Sequence, residues 1–316
     1  MKEIYRKLCS DEPSIPLFSQ AWWLDAVAGD NWDVCLVEKG GVVVASMPYT
    51  RSSRLGMTVI SKPALTQTLG PWIRPTNAKY AKQLSTEKEL MGMLIDQLPE
   101  YAYFNQTWHH SMQNWLPFFW RGFEQTTRYT YVIEDLSDID YVWANLQENI
   151  RREIRKATNK VKLKVRTDLS IDDFIALNKM TFSRQGKAMP YSPSFIIKMV
   201  TEAKKRNQCQ WFIAQDDKGQ NHAGVLIIWD EQSAYYLMGG GNPELRNSGA
   251  TSLCMWEAIK FSSTVTQRFD FEGSMIEPIE RFFRGFGAVQ TPYSMLTHVP
   301  SKRFRLLKLL RELINR

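Results

Sequence analysis

The chain has 316 residues, of which 44% are hydrophobic and 23% are charged, and these proportions exclude a disordered, collagen-like or coiled-coil chain. Lys and Arg number 40 against 33 Asp and Glu, which gives a formal net charge of +7 at pH 7. At roughly 150 residues per domain, the length predicts two domains, each large enough to bury its own core.

The first half contains a clear hairpin signal. Residues 33–38 and 42–49 are strand-like and flank the turn Lys39-Gly40-Gly41. In the second half, capping sequences at 137–140, 170–173 and 192–193 each predict the start of a helix. The first of these helices has an apolar stripe formed by Val142, Leu146, Ile150, Ile154 and Ala157.

The elements that follow are an alternating series of strands and helices. We predict a hairpin at 211–229, a strand at 233–238, a loop at 239–248, a helix at 249–262, a strand at 269–271 and a helix at 277–286.

A repeat divides the chain into two similar halves. The pattern R-G-F, then Q-T, then Tyr occurs at 121–129 and again at 284–293, and each copy follows a hairpin. We therefore predict an α/β (α+β) protein with two related domains, 1–134 and 135–316, each a mixed twisted sheet flanked by helices.

Apolar runs and cysteines limit the class of protein. The longest apolar runs, such as 224–229, are far shorter than the roughly 18–20 residues of a membrane span, and residues 1–6 lack a signal peptide's apolar stretch. We expect a cytoplasmic protein. The cysteines at 9, 35, 209 and 254 have no metal or disulfide spacing, so buried thiols and no metal site are predicted.

A glycine-rich loop leads from the strand at 233–238 into the helix at 249–262. Backbone N–H groups and the positive dipole end at a helix start favour an anion, and glycine permits its close approach. A plain connection between strand and helix is the alternative. The candidate binding residues are Gly240, Gly241, Arg246, Asn247, Ser248, Gly249, Ala250 and Thr251.

The loop sequence R-N-S-G-A-T at 246–251 resembles the pyrophosphate motif of the GNAT acyltransferases. Together with 250–260, F-D-F-E-G-S at 269–274 and R-F-F-R-G-F-G at 281–287, it is similar to the Fem-like group of that superfamily. That group includes peptidoglycan-bridge aminoacyltransferases and cellulose-biosynthesis-type acetyltransferases. The resemblance covers roughly residues 18–293 and implies two tandem GNAT-like domains with N-acyltransferase activity.

Two departures leave the acyl donor open. Thr251 stands where coenzyme-A-using GNAT enzymes have Gly or Ala, and Phe283 stands where Fem aminoacyltransferases commonly have Lys. The resemblance therefore implies either acyl-CoA or aminoacyl-tRNA as a donor substrate, with no tightly bound cofactor.

Acyl transfer to an amine needs a base for the amine and an acid for the leaving group. Asp270 and Glu272 are the candidate bases, because strand periodicity places them on one face, opposite Phe269 and Phe271. The alternative is a structural role for Asp270 in capping or ion pairing. Since GNAT enzymes often use a Tyr as acid, the resemblance makes Tyr236 a candidate, with a core role as its alternative.

Basic side chains are the candidate acceptor contacts. Residues 149–166 hold eight basic residues and one acid, and 301–316 hold six and one, so the rest of the chain is acidic. For residues 149–166, the alternative is a solvated surface with no ligand. For Arg284, the alternative is a structural role. The candidates for binding a nucleotide-linked or lipid-linked amine, or tRNA, are Arg151, Arg152, Arg155, Lys156, Arg281 and Arg284.

Residues 301–316 predict an amphipathic helix. We expect its leucines to pack on the second domain. The alternative is that the helix lies on the inner membrane surface as a peripheral contact. One sector of the helical wheel holds Leu306, Leu307, Leu309, Leu310, Leu313 and Ile314, and the other holds Arg305, Lys308, Arg311 and Arg316.

The function predicted from these observations is acyl or aminoacyl transfer to an amine of a cell-envelope precursor or related metabolite. Two alternatives remain open at this point. One is a non-catalytic anion-binding module on the same fold, and the other is a tRNA- or RNA-binding protein that uses the two basic segments.

Overall fold

A computed structural model describes residues 1–273 and 275–314. In chain order, its elements up to the middle of the chain are α1 (Lys2–Asp11), α2 (Ala21–Ala28), β1 (Trp32–Lys39), β2 (Val42–Arg54), β3 (Met57–Ser61), β4 (Trp72–Ile73), α3 (Tyr80–Asp96), β5 (Tyr103–Thr107), α4 (Leu116–Phe119) and β6 (Glu124–Ile133).

The remaining elements are α5 (Ile139–Asn145), α6 (Glu148–Arg155), β7 (Lys164–Arg166), α7 (Ile171–Arg184), α8 (Pro193–Lys204), β8 (Cys209–Gln215), β9 (Asn221–Trp229), β10 (Ser233–Gly241), α9 (Ala250–Ser262), β11 (Arg268–Asp270), α10 (Glu277–Arg284), β12 (Val289–His298) and α11 (Lys302–Ile314). Single helical turns at Leu17–Ser19, Lys156–Lys160 and Pro243–Ser248 complete the described chain.

The chain forms two compact units. The first contains residues 1–128 and 292–316, and the second contains residues 129–291. The C-terminal segment thus groups with the first unit, whereas the sequence pattern had placed it in the domain 135–316.

The first unit is a mixed sheet with helices against it. Its strand order is β1-β2-β3-β5-β12, with β4 paired to β2. Strands β3 and β5 are parallel, and β12 pairs antiparallel with β5 from Met295 opposite Thr107 to His298 opposite Phe104. Large aromatic side chains fill the core, and Trp108, Phe104 and Phe118 are completely buried.

The second unit has the strand order β6-β11-β10-β9-β8-β7. Within it, β10 and β11 are parallel and the other described pairs are antiparallel. The core on one face packs α5, α6, α9 and α10 against the sheet. Helix α7 packs on the other face, where Phe174 occupies the space over Gly224. This unit therefore has helices on both faces.

Both halves of the chain contain the same succession of elements. Three antiparallel strands are followed by a helix, a strand parallel to the third, a helix and a closing strand, in β1 to β6 and in β8 to β12. The closing strand β6 pairs with β11, and β12 pairs with β5. Each closing strand is preceded by a glycine with a positive φ, which is Gly122 in the first half and Gly287 in the second. The R-G-F repeat instead aligns Gly122 with Gly285, so the structural alignment of the two halves is shifted by two residues from the sequence alignment.

Two details of the predicted elements are corrected. The stripe from Val142 to Ala157 belongs to two helices, because Leu146 takes an extended conformation between α5 and α6. The second concerns residues 161–166, whose alternating basic and apolar residues predict a half-buried strand with a basic outer face. Strand β7 begins only at Lys164, because Lys162 has a φ of +63°. The predicted caps are confirmed where Asp138, Ser170 and Ser192 accept hydrogen bonds from backbone N–H groups.

The four cysteines are free thiols in the structure. Cys35, Cys209 and Cys254 are buried, and burial raises the pKa of each thiol to about 12. Cys9 is partly exposed. Across residues 1–273 and 275–314, no helix combines the length and the apolar character that crossing a membrane requires.

Candidate active site

Strands β10 and β11 part after a short parallel pairing. They are in register only from Ser233 opposite Arg268 to Tyr235 opposite Asp270. Directly after β11, the Phe271 N–H donates to the carbonyl of Tyr131 on β6 over 3.0 Å. Strand β10 continues past this point, with a register shift against β9 just after Tyr236. The two strands therefore diverge after Tyr235 and Asp270.

Helix α7 holds the free end of β10. The side-chain amide of Asn178 donates to the Gly239 carbonyl over 2.7 Å, and the Gly241 N–H donates to the Thr181 hydroxyl over 3.0 Å. A Cβ atom at Gly240 would collide with the backbone of Asn178. Gly240 and Gly241, which the sequence suggested for donor binding, thus lie within the strand and pack it against α7.

The first turn of α9 follows directly from this strand. Asn242 caps the intervening turn by accepting from Glu244 N–H, and the first helical hydrogen bond is donated by Leu253 to Gly249 O over 3.1 Å. The N–H groups of the three residues from Ala250 to Ser252 precede that bond, as at any helix start. Thr251 is exposed at this position. Backbone N–H groups at a helix start favour an anion.

The remaining loop residues differ in exposure. Arg246 and Asn247 are exposed. Ser248 is 8% exposed, and its hydroxyl has no hydrogen-bond partner within the described part of the chain. An unpaired buried hydroxyl is unfavourable, so a ligand atom that reached it would relieve that cost.

Gly249 brings α6 against the start of α9. Its φ is +79°, and a Cβ atom there would collide with the carbonyl oxygen of Glu153 and lie 3.3 Å from the Cβ of Ala157. The segment that carries Arg152 and Lys156 therefore adjoins the loop that leads into α9.

Three of the four candidate basic residues in this segment form ion pairs with carboxylates of α6. Arg151 and Arg155 both contact Glu148 over 3.1 Å, and Lys156 contacts Glu153 over 3.1 Å. Arg152 is exposed. Exposed local ion pairs of this kind contribute little to stability.

Tyr236 lies directly after the last pair of these strands, in a group of polar side chains that we call the Tyr236 cluster: Tyr236, Glu272, Tyr191 and Asn178. The Tyr236 hydroxyl lies against Gly239. Burial, with smaller contributions from Tyr191 and Glu272, raises the pKa of Tyr236 well above its usual value. The Tyr191 hydroxyl donates to Asn178 Oδ1 over 3.5 Å, and burial raises the pKa of Tyr191 to about 12. Both phenols are therefore protonated at neutral pH.

Asp270 and Glu272 do not share a face, because β11 ends at Asp270 and Glu272 has a φ of +56°. Asp270 is 6% exposed and accepts hydrogen bonds from the Thr130 hydroxyl and, over 2.7 Å, from the Glu272 N–H. Burial raises its pKa to about 6. Phe269 and Phe271 pack in the core on the face away from Asp270. Tyr236 packs against that same core, so Glu272 is the carboxylate beside it.

The two candidate arginines of α10 differ in their surroundings. Arg284 contacts Glu280 over 2.8 Å, and Glu280 accepts a hydrogen bond from Tyr131 over 2.7 Å. Arg121 of the first repeat likewise pairs with a carboxylate, that of Asp96. Arg281 is exposed. The structure therefore favours a structural role for Arg284.

Sequence reasoning missed Asn178, Thr181 and Tyr191. A signal was present for Asn178, which falls in the apolar stripe of α7 beside Leu177 and is only 3% exposed. A buried amide in an apolar stripe needs hydrogen-bond partners, and here it bonds to the end of β10. Tyr191 lies in a loop, where periodicity carries no information.

Residues 144–274 match the sequence family described as acetyltransferase (GNAT) domain. The chain carries a GNAT domain and is an acyltransferase. This GNAT domain includes β10, α9 and β11, and it accounts for most of the second unit. No match was found among curated proteins.

Solved structures with the same fold extend over nearly the whole chain. FemX is similar over 93% of this chain and 95% of its own, with a TM-score of 0.69 and 11% identity. The C-terminal domain assigned to a lysylphosphatidylglycerol synthetase of Agrobacterium fabrum is similar over 99% and 97%, with a TM-score of 0.56 and 12% identity. A tandem GNAT protein from the clavulanic acid biosynthesis pathway is similar over 95% and 94%, with a TM-score of 0.52 and 10% identity. The fold is thus a Fem-like, tandem GNAT fold.

Replacing Gly249 by Ala tests the close approach of α6 to α9. Alanine at a left-handed position costs about 1–2 kcal/mol, and the collision with Glu153 adds about 1–3 kcal/mol more. Gly219 is a matched control, because its φ is +78° and nothing lies within 4 Å of a Cβ atom there. Chemical denaturation should show that G249A is the less stable variant. Equal losses in G249A and G219A would mean that α6 does not adjoin this turn.

Replacing Asp270 by Asn tests the burial of this carboxyl. Because its folded pKa of about 6 exceeds an unfolded value near 3.9, the folded state binds more protons between these values, and stability falls as pH rises through that range. Relative to D270N, the wild type should lose about 2–3 kcal/mol of unfolding free energy between pH 4 and pH 7. Denaturation across this pH range measures the difference, and parallel profiles would contradict it.

Proposed function

We propose that the chain forms an amide by transferring an acyl or aminoacyl group to the amine of a cell-envelope precursor or related metabolite. The observation that carries the proposal is the parting of β10 from β11. Tyr236 and Glu272 are among the first residues past the last pair of these strands, and β10 leads on along the chain to the first turn of α9. An anion-binding helix start beside protonated phenols and a carboxylate is suited to a phosphate-containing acyl donor and an amine acceptor.

The donor binds as a substrate and leaves after each turnover. Its phosphate groups accept hydrogen bonds from the N–H groups of Ala250 to Ser252, beside the exposed side chain of Arg246. Thr251 is exposed at the second position of the helix, so its side chain takes up space at the phosphate. This restriction favours a donor that approaches the helix start less closely than coenzyme A, such as aminoacyl-tRNA.

In the proposed reaction, the acceptor amine attacks the donor carbonyl carbon. The new C–N bond forms as the ester or thioester bond of the donor breaks. Glu272 takes the proton that the amine loses, and Tyr236 gives its phenolic proton to the departing oxygen or sulfur. The raised pKa of Tyr236 keeps that proton in place until the bond breaks. Asp270 positions Glu272 by accepting its backbone N–H.

The proposed acceptor is a nucleotide-linked or lipid-linked amine. On the donor side, the proposed partner is tRNA. Arg152 and Lys156 adjoin the start of α9 through the contact of Glu153 with Gly249, so an anionic group there lies near the donor. Arg281 is a further exposed cation on α10. The name of the lysylphosphatidylglycerol synthetase domain, which denotes a lipid product, supports a lipid-linked acceptor.

The proposal is tested by replacing the two groups that move protons. With acetyl-CoA and aminoacyl-tRNA offered as donors to a panel of amines, E272Q and Y236F should each lower the rate of amide formation by about 10²–10⁴-fold. Mass spectrometry of the amide product measures the rate. The control is E257Q, because Glu257 pairs with Lys260 on α9 and has no proposed role.

Rates in E272Q and Y236F equal to that of E257Q would overturn the assigned roles. Binding of a donor without amide formation in the wild type, with every amine tested, would instead support a non-catalytic binding module. Binding of RNA with no response to an acyl group would support an RNA-binding function.

A further inference from the structure

Helix α11 is attached to the first unit by its inner side. Phe304 stacks on Tyr103 with ring centroids 5.1 Å apart and an interplanar angle of 12°. Leu307 is half-buried, and the Arg305 side chain donates to the Val299 carbonyl over 2.6 Å. One side of the helix is therefore anchored.

The opposite side of α11 presents a stripe of leucines to solvent. Leu306, Leu309, Leu310 and Leu313 are 59%, 58%, 47% and 68% exposed. Their spacing of i, i+3, i+4 and i+7 places them on one face, and at 100° per residue that face is directed away from Phe304. The expectation that these leucines pack on the second domain is wrong.

Some residues of the predicted helix fall outside the described part. Arg316 lies beyond the described residues, as do the side chains of Arg311 and Ile314. The four exposed leucines and the cations between Lys302 and Lys308 are within it.

Positive charge borders the leucine stripe. Lys302, Arg303, Arg305 and Lys308 are exposed, and none forms an ion pair with a described carboxylate. Four neighbouring exposed leucines favour an interaction site, because leucine side chains gain free energy when they leave water.

A cavity of about 360 Å³ adjoins the stripe. Leu309 of the stripe lines it together with Arg305, Lys308 and His298, and its one acidic residue is Glu124. Burial and the neighbouring Arg305 lower the pKa of His298, so the lasting positive charge comes from Arg305 and Lys308. An apolar stripe beside a basic cavity matches an acyl chain beside an anionic headgroup.

We propose that α11 docks the enzyme on the surface of an anionic lipid bilayer, with the leucine stripe among the acyl chains and the basic residues at the phosphate groups. A helix with leucines on one face and cations beside them lies in the plane of the interface. The attraction of each Lys or Arg to anionic lipid adds to the apolar burial. This inference deepens the proposed function by naming the surface where a lipid-linked acceptor is met.

The test is flotation of the full chain with vesicles of phosphatidylglycerol mixed with phosphatidylcholine, compared with vesicles of phosphatidylcholine alone. Wild-type binding should require the anionic lipid and weaken with added salt. The double variant R303Q/K308Q, which leaves the Arg305 anchor in place, should bind about 25-fold more weakly, at about fivefold for each charge. The double variant L306S/L310S should bind at least about tenfold more weakly.

Two controls match these variants. Leu55 is 71% exposed in the first unit at a φ of +53°, so L55N removes an exposed leucine outside the stripe. Lys218 is an exposed lysine in the turn between β8 and β9, so K218Q removes a distant charge. Both should bind as the wild type does. Circular dichroism should show equal helix content in all variants, since the substituted side chains are exposed.

Equal binding to both kinds of vesicle, or full binding by L306S/L310S, would overturn the proposal. A concentration-dependent dimer in sedimentation, lost in L306S/L310S, would also overturn it by showing that a second copy covers the stripe. No donor or acceptor is present in these measurements, so their failure is distinguishable from failure of acyl transfer.

Discussion

The parting of β10 from β11 is held by hydrogen bonds on both sides, and the candidate site depends on it. On one side, Asn178 and Thr181 of α7 bond the backbone of Gly239 and Gly241. On the other, Phe271 bonds to Tyr131 on β6. Each strand thus finds other partners for the polar groups that a continued pairing would have satisfied. The two strands therefore do not pair beyond Tyr235 and Asp270.

The same constraint separates the functions of the two carboxylates. Because β11 ends at Asp270, that side chain stays buried between Thr130 and the Glu272 N–H. The chain then turns, and Glu272 comes to the side of Tyr236. A longer strand would have kept both carboxylates on one face. In the proposed reaction this turn assigns proton removal to Glu272 and a positioning role to Asp270.

The sequence was most informative where a local pattern decides the structure. The caps at Asp138, Ser170 and Ser192 and the helix start at Ala250 were predictable, because capping depends on a few adjacent residues. The GNAT-like fold followed from motif order. The ends of β11 and of the helix before Leu146 were not predictable, because a positive φ at Glu272 and an extended Leu146 are imposed by packing.

Tertiary contacts also decided which candidate residues are available. Gly240 looked like part of a loop, but its lack of a side chain serves the contact with α7. Arg284 looked like a ligand contact, but Glu280 lies within reach on the same helix. The leucines of α11 looked like core, because an apolar stripe has the same sequence whether a protein or a lipid covers it. Their exposure in the structure shows that the core of the chain does not cover them.

The central claim is that the start of α9 binds the acyl donor where β10 and β11 part. Amide hydrogen exchange, measured with and without acetyl-CoA or aminoacyl-tRNA, tests it most directly. The account predicts that a productive donor slows exchange at Ala250, Thr251 and Ser252, and leaves the anchored amides of β8 and β9 unchanged. Protection by a productive donor that falls elsewhere in the chain, with these three amides unaffected, would contradict it.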